Sequence, residues 1–559
     1  MPIFWVQTRD EKVKIHMIPW GVELPPNMKN YQKEYKEFSL IVPERFSFPL
    51  DVFDKWGDRL ALFWTNGEKE KKFSFDELKI LSSKGAGAFK EMGISKGDKV
   101  LVMLPNIPEW WEVMLALMRL NAIPIPATTL LTSKDIKYRL SVIDIKAIIA
   151  TDEDALKVED AVKGSGNAPL FIIVGEKQGW HDYIKERDKA DAFEGERACS
   201  EEPALIYFTS GTTGPPKMVL HTMASYPFAH QITGKYWLDL KPGDIHWNLS
   251  DTGWAKAAWS SLFGPWHMGA AIFSFYKTGK FDPSLTIEMM QRYPITTFCG
   301  PPTAYRMMVK EIPAQRFAFQ SLRHFVAAGE PLNKEIIEVW KERTGRYIYD
   351  GYGQTETVNV LANFRCLPVK PGSMGVPVPG FIVDVVDDNG NPVSSGIEGN
   401  IAIKIRPERP VGIFKEYLGN PEATEKAIRG KWYITGDRAY KDDDGYFWFV
   451  GRADDIIITS GYRIGPFEIE SVLIEHPAIE ESAVVSSPDK MRGEVVKAFI
   501  VLTKDHRPSD ALVKELQEFV KKQTAPYKYP RKIEFVDELP KTISGKIKRK
   551  ELKMKEFGK

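Results

Sequence analysis

Strand-like and helical stretches alternate along the first part of this sequence, and that alternation constrains the fold more than any other feature. Short apolar runs lie at residues 99–104, 123–126, 147–150 and 170–174, and a helical apolar pattern lies between the first two. Successive strands joined by helices form parallel sheets with helices packed on their faces. The sequence therefore predicts an α/β fold. Trp110 and Trp111, on the helical stripe, are expected in its core rather than in a membrane anchor.

The chain is too long for one hydrophobic core, and its character changes in the second half. Because 559 residues exceed the size at which a single core stops growing, two or more domains are expected. After Tyr352, short strands alternate with Gly, Pro and Asn turns, as at residues 386–392, which predicts a β-rich subdomain. The residues after 455 suffice for a further small domain, with a helix predicted at residues 511–522.

Composition and charge exclude several classes of function. Lys and Arg number 76 against 75 Asp and Glu, so the formal charge of +1 gives no general attraction to nucleic acid or an anionic membrane. The longest apolar stretches are interrupted within about a dozen residues, which predicts no membrane span. Cys199, Cys299 and Cys366 lack the spacing of a zinc site or a disulfide framework, so a reducing cytoplasmic location is predicted.

One segment, residues 209–217, combines hydroxyl side chains, glycines and a lysine directly after an apolar run at residues 204–208. Glycines let successive backbone N–H groups converge, hydroxyls add donors and lysine adds positive charge, so the segment suits a polyphosphate. A Walker-type P-loop requires Gly-Lys-Ser/Thr at the start of a helix, whereas here Pro216 precedes Lys217 and Met218 follows it. Kinase and GTPase mechanisms of that type are therefore disfavoured.

Four further segments follow this one in a fixed order. The five segments are Thr209-Ser210-Gly211-Thr212-Thr213-Gly214-x-Pro216-Lys217, Tyr352-Gly353-Gln354-Thr355-Glu356, Thr435-Gly436-Asp437, Gly451-Arg452-Ala453-Asp454-Asp455 and Pro540-Lys541-Thr542-Ile543-Ser544-Gly545-Lys546. Together they resemble the signature motifs of the adenylate-forming enzymes, which include acyl-CoA synthetases, luciferases and peptide-synthetase adenylation domains. Five ordered matches are far more specific than any single motif. Residues 461–466 and 525–532 resemble the medium-chain acyl-CoA synthetases in particular.

The resemblance implies the adenylate-forming fold. It has a large N-terminal domain of helix-covered sheets plus a β-rich subdomain, and a small mobile α+β C-terminal domain. Residues 1–453 would bind ATP and the acid, residues 454–559 would form the mobile domain, and Asp454 would be the hinge. The implied reaction joins ATP and a carboxylic acid into an acyl-adenylate and then transfers the acyl group to CoA, releasing AMP and pyrophosphate.

The resemblance also assigns roles around the nucleotide. Lys546 would contact the α-phosphate during adenylation, Thr355 would reach the same phosphate, and Glu356 would help to hold Mg²⁺, which takes few protein ligands. Asp437 would accept the ribose hydroxyls, with Arg452 supporting that ribose. The other residues expected to bind ATP are Thr209, Ser210, Gly211, Thr212, Thr213, Gly214 and Lys217 at the outer phosphates, together with Gly329, Glu330, Pro331, Asp350, Gly351, Tyr352, Gly353, Gln354 and Arg463 elsewhere along the nucleotide.

The second half-reaction requires a thiol. No cysteine of this chain is placed to supply it, so an external thiol, that of CoA, is implied. Ser460, Gly461 and Tyr462 resemble the loop that lines the pantetheine path after domain rotation, and Gly461 would permit close backbone approach. CoA carries three phosphate groups, so cations should gather at the mouth of the site. The candidates by resemblance are Arg492, Lys521, Tyr529, Pro530 and Arg531.

Residues 250–259 resemble the region that lines the acyl pocket, which places Trp254, Lys256 and Trp259 there. Acetate-specific relatives carry a tryptophan where this chain has Gly353, and a missing indole would leave room for several methylenes, each worth about 0.8 kcal/mol on burial. Acids of four or more carbons are therefore predicted to be preferred over acetate. Linear medium-chain, branched short-chain and aryl acids all remain candidates. The Lys256 amine would shorten the pocket, counter a second carboxylate or point elsewhere.

Rival functions are weaker on the sequence. Transfer of the acyl group to a carrier protein is disfavoured because no carrier domain is fused and CoA-type basic residues are present. Nothing in the sequence supports a luciferase-like oxygenase. A non-enzymatic nucleotide sensor would be expected to lose Lys546, Glu356 or Asp437, and all three are present. His221 and His246 are predicted to be structural, since nothing in the sequence pairs with either.

Overall fold

Two sheets of mainly parallel strands, covered by helices, form the centre of the N-terminal part, which confirms the predicted α/β class. The computed structural model describes residues 4–7, 12–15, 24–163, 168–209, 215–313, 317–459, 462–489, 492–525, 528–542 and 546–558. The larger sheet has nine strands, with parallel pairing at its centre and antiparallel pairing at both edges. In spatial order its strands are Val376–Pro377, Leu361–Ala362, Ile348–Tyr352, His324–Ala328, Thr297–Gly300, Ile245–Asn248, Ala271–Phe275, Leu60–Thr65 and Glu70–Ser74.

The second sheet has five strands and is parallel throughout. It contains every strand predicted in this region, with ends that differ from the prediction by at most one residue. Apart from the edge strand His181–Asp182, its strands are mainly apolar on both faces, as expected where helices cover both sides of a parallel sheet. In spatial order they are His181–Asp182, Leu170–Val174, Ala147–Thr151, Lys99–Met103 and Ile123–Pro126.

Local sequence signals determine where the longer helices begin. Phe75–Glu91 follows a capping box in which Ser74 and Glu77 exchange side-chain and backbone hydrogen bonds. Proline starts Pro108–Arg119, where its missing N–H removes no helical hydrogen bond. Trp110 and Trp111 on this helix are buried, which confirms their predicted place in the core.

The other N-terminal helices are short or continue the strand–helix alternation. The α-helices are Tyr31–Glu37, Phe48–Asp51, Ser133–Val142, Asp152–Val162, Tyr183–Lys189, His230–Ile232, Ala255–Ala258, Gly264–His267, Pro283–Arg292, Pro302–Glu311, Lys334–Thr344 and Pro421–Lys426. Wider π-helical turns occur at Ala224–Phe228, Thr233–Trp237 and Trp259–Phe263, and a 3₁₀ turn occurs at Phe53–Lys55. Such π-helical turns are frequent beside functional sites.

Antiparallel strands dominate the chain after Tyr352, which confirms the predicted β-rich subdomain. A five-stranded sheet contains Val383–Val386, Gly399–Lys404, Trp432–Lys441, Ile428–Arg429 and Phe447–Arg452. A three-stranded sheet pairs Glu416–Tyr417 with Lys217–Thr222, which also pairs with Pro203–Thr209. Two smaller ladders pair Phe4–Gln7 with Lys12–Ile15, and Arg45–Phe46 with Ala198–Cys199.

The C-terminal residues build a separate hydrophobic core. Its members all lie after residue 456, and it packs the helix Pro466–Ile474 and the helix Asp510–Gln523 on a three-stranded sheet. The second of these helices confirms the one predicted at residues 511–522. The sheet contains Ile479–Asp489, Gly493–Leu502 and Lys532–Phe535; the remaining elements are the 3₁₀ turn Ala453–Asp455, the paired strands Ile457–Thr459 and Tyr462–Ile464, and the helix Arg549–Glu556.

Among the residues that the structure describes, no helix is both long enough and apolar enough to cross a lipid bilayer.

Candidate active site

A cleft of about 2310 Å³ lies between the N-terminal sheets and the C-terminal domain. Sites for drug-sized ligands occupy roughly 300–1,000 Å³, so this cleft has room for a nucleotide, an acid and part of a thiol carrier. Most residues predicted from the sequence line it. They are Thr209, Lys217, Trp254, Lys256, Trp259, Gly329, Glu330, Pro331, Asp350, Gly351, Tyr352, Gly353, Gln354, Thr355, Glu356, Asp437, Arg452, Asp454 and Lys546.

Part of the predicted phosphate loop lies outside the described residues, namely Ser210, Gly211, Thr212, Thr213 and Gly214. Both ends of the loop are described, because Thr209 and Lys217 are opposite each other on the neighbouring strands Pro203–Thr209 and Lys217–Thr222. This pairing confirms the strand predicted at residues 204–208. Thr209 and Lys217 both line the cleft.

At the predicted ribose end, Asp437 is the centre of a hydrogen-bond network. Its Oδ2 accepts hydrogen bonds from Tyr352 Oη at 2.6 Å and from Gln354 Nε2 at 2.7 Å, and its Oδ1 lies 3.0 Å from Arg452 Nη1. Asp437 and Arg452 are opposite each other on adjacent strands, so sheet register sets their pairing. The Asp437 carboxylate raises the pKa of the Arg452 guanidinium. The predicted contact of this ion pair with the ribose hydroxyls stays a prediction.

At the predicted phosphate end, the turn at Thr355 and Glu356 follows the strand Ile348–Tyr352. Glu356 is partly buried, desolvation raises its pKa, and its Oε1 accepts a hydrogen bond from Tyr417 Oη at 2.7 Å. The ammonium of Lys217 lies 4.5 Å from the centre of the Tyr417 ring. Tyr417 was not anticipated from the sequence, since a single tyrosine before a short helix carries no recognisable signal.

His221 holds the same turn from the other side. Its Nε2 donates a hydrogen bond to the Thr355 carbonyl oxygen at 2.7 Å, so its Nδ1, 3.2 Å from Ser225 Oγ, is the acceptor. Burial lowers the pKa of this imidazole to about 3, so it stays neutral. His246 is equally buried, between the Thr297 and Ser260 hydroxyls. These contacts agree with the prediction that both histidines are structural. His221 holds the turn at Thr355 and Glu356 through the backbone carbonyl of Thr355.

The space beside Gly353 is filled, which corrects the expectation of a wide opening there. A Cβ added to Gly353 would lie 2.5 Å from Cη2 of Trp259 and 2.5 Å from the Val358 carbonyl oxygen. The Trp259 indole is held in place by a 2.6 Å hydrogen bond from its Nε1 to Tyr226 Oη. The absence of a side chain at Gly353 therefore makes room for the Trp259 indole. The pocket does not extend past Gly353 toward Trp259.

Lys256 lies at the same end of the cleft with a buried amine. Its Nζ has no hydrogen-bond partner within the described part of the chain. Burial lowers its pKa, the nearby Cys299 thiol and Glu330 carboxylate oppose that shift, and the charge of Lys546 adds to it. Lys256 lines the cleft, its buried amine lies beside the Cys299 thiol, and its role toward the acid stays a prediction.

Lys546 reaches this cleft from the C-terminal domain. Its backbone N–H donates to Thr542 Oγ1 at 3.0 Å, and its carbonyl accepts from the Thr542 N–H at 2.7 Å. Lys546 lines the cleft in this structure, and its contact with the α-phosphate stays a prediction. Asn333 Nδ2 also donates to Ser471 Oγ across the domain interface at 2.9 Å. The hinge role of Asp454, which lies in the turn between the two domains, stays a prediction.

The described residues predicted to bind the CoA phosphates are not among those that line the cleft; they are Arg492, Lys521, Tyr529, Pro530 and Arg531. Lys521 and Arg531 both stack on the Tyr529 ring, at 4.3 Å and 4.9 Å, and Pro530 accepts a hydrogen bond from Gln517 through its carbonyl. Arg492 lies in the turn after Asp489, whose side chain accepts from its backbone N–H. Ser460, Gly461 and the side chains of Tyr462 and Arg463 lie outside the described residues.

Within the described ranges, no three His, Cys, Asp or Glu side chains converge on one point as a metal cluster. Glu356 offers a partly buried carboxylate at the predicted phosphate end of the cleft. That donor set suits Mg²⁺, which keeps several waters and binds substrate phosphates together with one or two carboxylates.

Comparisons with known proteins agree with the geometry of the cleft. Residues 51–418 match the family model of the AMP-binding enzymes, and residues 468–546 match that of the AMP-binding enzyme C-terminal domain. Acyl-coenzyme A synthetase ACSM3, mitochondrial, of Mus musculus is 50% identical over 95% of this chain and 94% of its own length. ACSM4 of Mus musculus, also named mitochondrial, is 49% identical over 92% of both chains. The crystal structure of Brucella canis acyl-CoA synthetase has a TM-score of 0.73 and 31% identity, covering 95% of this chain and 99% of that one.

The predicted cytoplasmic location is contradicted by these relatives, whose names place them in mitochondria. A low cysteine content indicates a reducing compartment. It does not distinguish the cytosol from other reducing compartments. The prediction of the enzyme class is confirmed. The chain belongs to the AMP-binding, adenylate-forming enzymes and, within them, to the acyl-CoA synthetases, which ligate a carboxylic acid to CoA through an acyl-adenylate.

Proposed function

We propose that, of the medium-chain and branched short-chain acids predicted from the sequence, this acyl-CoA synthetase prefers a short branched acid of about five carbons, with Lys546, Thr355 and Glu356 serving the adenylation step. The observation that carries the proposal is the meeting of two domains at one cleft. Lys546 from the C-terminal domain lines the same cleft as Thr355, Glu356 and Asp437 from the N-terminal part.

In the first step, a carboxylate oxygen attacks the α-phosphorus of ATP. The new O–P bond forms as the bond from the α-phosphorus to the bridging oxygen breaks, and pyrophosphate leaves with that oxygen. Negative charge accumulates on the α-phosphoryl oxygens in the transition state, where preorganised donors are most effective. Lys546 and Thr355 supply those donors, and Lys217 attracts the departing phosphates.

Binding of the nucleotide rests on the groups around Asp437. The carboxylate is held by Arg452, Tyr352 and Gln354, so it is fixed in place before ATP arrives. The Arg452 Nε has no hydrogen-bond partner among the described residues, which leaves a donor for the ribose. Such preorganisation reduces the entropy lost on binding.

Glu356 would hold Mg²⁺ together with the ATP phosphates. The ion, when bound, would neutralise phosphate charge and thereby make attack by a carboxylate easier. The hydrogen bond from Tyr417 favours the ionised form of this carboxylate and opposes desolvation, which raises its pKa.

In the second step, the CoA sulfur attacks the carbonyl carbon of the acyl-adenylate. The C–S bond forms, the C–O bond to the phosphate breaks, and AMP leaves. The proposed route for the thiol passes Ser460, Gly461 and Tyr462 after the C-terminal domain rotates about Asp454. Lys521, Tyr529 and Arg531, which stack together in this structure, are proposed to meet the CoA phosphates with Arg492 and Pro530 beside them.

The size of the acid follows from what closes the acyl pocket. Trp259 fills the space beside Gly353, and the unpartnered Lys256 amine lies in the cleft nearby. A long linear chain would have to displace a fixed indole or bury an amine against methylenes, and burial of an unpaired cation is costly. A short branched acid needs neither change.

Pyrophosphate release with acetate, butyrate, 2-methylbutyrate, octanoate and benzoate, with and without CoA, tests the proposal. We expect 2-methylbutyrate and butyrate to exceed acetate and octanoate, with acyl-CoA formed only when CoA is present. Preference for octanoate would show that the pocket extends past Trp259 and would contradict the size argument. Pyrophosphate release without any thioester product would contradict CoA as the acceptor.

A further inference from the structure

We propose that Tyr417 is a positioning residue that fixes Glu356 and Lys217 relative to each other, so that the metal-binding carboxylate and the phosphate-binding ammonium meet ATP as one unit. The inference rests on the proposed roles of those two residues. In this inference the hydroxyl and the ring of Tyr417 have separate roles.

The hydroxyl of Tyr417 orients the carboxylate. Tyr417 Oη donates a 2.7 Å hydrogen bond to Glu356 Oε1, and the Glu356 backbone carbonyl accepts from the Phe414 N–H three residues before this tyrosine. Both ends of Glu356 are thus held by the segment that contains Tyr417. One carboxylate oxygen is occupied by the hydroxyl, so the other is the one left to face the cleft.

The ring of Tyr417 supports the ammonium. Lys217 Nζ lies 4.5 Å from the ring centre, within the range of a cation–π contact. Lys217 follows the phosphate loop directly and is only partly buried, so without a support its long side chain would sample many rotamers. The ring restricts those rotamers while leaving the ammonium free to donate its hydrogen bonds.

Sheet register explains why one residue reaches both groups. Tyr417 lies opposite Val219 in the ladder between Glu416–Tyr417 and Lys217–Thr222, two residues from Lys217 on the same strand. Side chains two residues apart on a strand lie on the same face. The short strand Glu416–Tyr417 therefore connects the phosphate hairpin to the turn that contains Glu356.

A purely structural role is the competing interpretation, since the Tyr417 ring also packs on Phe414 with ring centres 4.8 Å apart. That packing requires an aromatic ring but no hydroxyl. The chain contains a matched pair elsewhere: Lys370 Nζ lies 4.6 Å from the Tyr446 ring centre, and Tyr446 Oη donates to the Pro368 carbonyl at 2.6 Å. Tyr446 does not line the cleft, so it serves as the control.

The experiment measures ATP affinity of the full-length protein by isothermal titration calorimetry, in EDTA and in excess Mg²⁺. The variants are Tyr417→Phe, which removes only the hydroxyl, and Tyr417→Leu, which removes hydroxyl and ring, with Tyr446→Phe and Tyr446→Leu as controls. Urea unfolding of each variant measures its stability. The KM for ATP and the kcat of pyrophosphate release are measured for each variant as well.

For Tyr417→Phe we expect the tightening of ATP binding by Mg²⁺ to fall roughly tenfold, the scale of one hydrogen bond to a charged group. Its affinity in EDTA should change less than about twofold, because the ring still supports Lys217. Tyr417→Leu should lose affinity in EDTA as well. Both Tyr446 variants should bind ATP as the wild type does.

Equal Mg²⁺ tightening in Tyr417→Phe and wild type would overturn the inference while leaving the proposed function intact. A Tyr417→Phe variant that weakens ATP binding equally in EDTA and in Mg²⁺ would also overturn it, because the loss would then be general. Failure of the wild type to bind ATP would instead refute the proposed function. If Tyr417→Leu does not fold, the Tyr417→Phe measurement decides alone.

Discussion

Substitution of Gly353 by alanine tests whether Trp259 bounds the acyl pocket. The added Cβ would lie 2.5 Å from Cη2 of Trp259 and from the Val358 carbonyl oxygen. Because carbon atoms rest about 3.5–4.0 Å apart, one neighbour must move by roughly 1 Å. The Val358 N–H and Trp259 Nε1 are both hydrogen-bonded, to the Gly412 carbonyl and to Tyr226 Oη. Overpacking of this size costs about 1–3 kcal/mol of folding free energy.

The expected consequence in function is a narrower pocket, because the added methyl group would displace the indole that lines the cleft. We expect Gly353→Ala to lower kcat/KM for 2-methylbutyrate by about tenfold, corresponding to roughly 1.4 kcal/mol, and to lower that for acetate less. Pyrophosphate release with both acids measures this ratio, and urea unfolding measures the stability.

The matched control is Gly399→Ala, whose added Cβ would also lie 2.5 Å from a carbonyl oxygen, that of Val386, in the β-rich subdomain away from the cleft. It should lose a similar amount of stability and keep the wild-type ratio between the acids. An unchanged ratio in Gly353→Ala, or a change of equal size in Gly399→Ala, would refute the assignment of Trp259 to the pocket wall.

Three further predictions address the catalytic lysine, the thiol route and acid stability. Lys546→Ala should slow adenylation by ~10²–10³-fold, the scale of one transition-state donor. Thioester formation from supplied acyl-adenylate should be nearly unchanged. Equal losses of rate in stopped-flow measurements of both steps would contradict a domain rotation between them. Gly461→Leu should block thioester formation and spare pyrophosphate release, and intact acyl-CoA formation would refute the assigned route. Burial lowers the pKa of His246 and of His324 to about 3 in the folded protein. Below pH 6.5 the unfolded chain therefore binds more protons than the folded one, and the free energy of unfolding decreases as the pH is lowered. Between pH 7.5 and pH 5.5, urea unfolding should show a decrease in the free energy of unfolding of about 1.4 kcal/mol for each such histidine. The decrease should be correspondingly smaller in His246→Gln. An equal decrease in that variant and in the wild type would contradict a buried, neutral His246.

Regular structure was predictable where the sequence pattern carries a single meaning. The strands at residues 123–126 and 170–174 match the structure at both ends, because continuous apolar runs bounded by turns suit a parallel sheet covered on both faces. The helix at residues 511–522 was found because its apolar spacing follows the helical period. Cleft residues inside the five motifs were found because motif order is itself informative.

The contacts between distant segments were not predictable in the same way. Tyr417 meets Glu356 only because a two-residue strand pairs with the phosphate hairpin, and no local pattern encodes that pairing. The effect of Gly353 was wrongly predicted because the missing indole was considered alone, whereas Trp259 arrives in the same space from a π-helical turn. Packing of this kind is a property of the folded chain rather than of any one segment.

The measurement that tests the central claim most directly follows an oxygen atom. The enzyme would be incubated with ATP, Mg²⁺, CoA and 2-methylbutyrate labelled with oxygen-18 in both carboxylate positions, and the products analysed by mass spectrometry. Attack of the carboxylate on the α-phosphorus predicts AMP that carries one labelled oxygen and pyrophosphate that carries none. Labelled pyrophosphate or phosphate, with unlabelled AMP, would contradict the acyl-adenylate route.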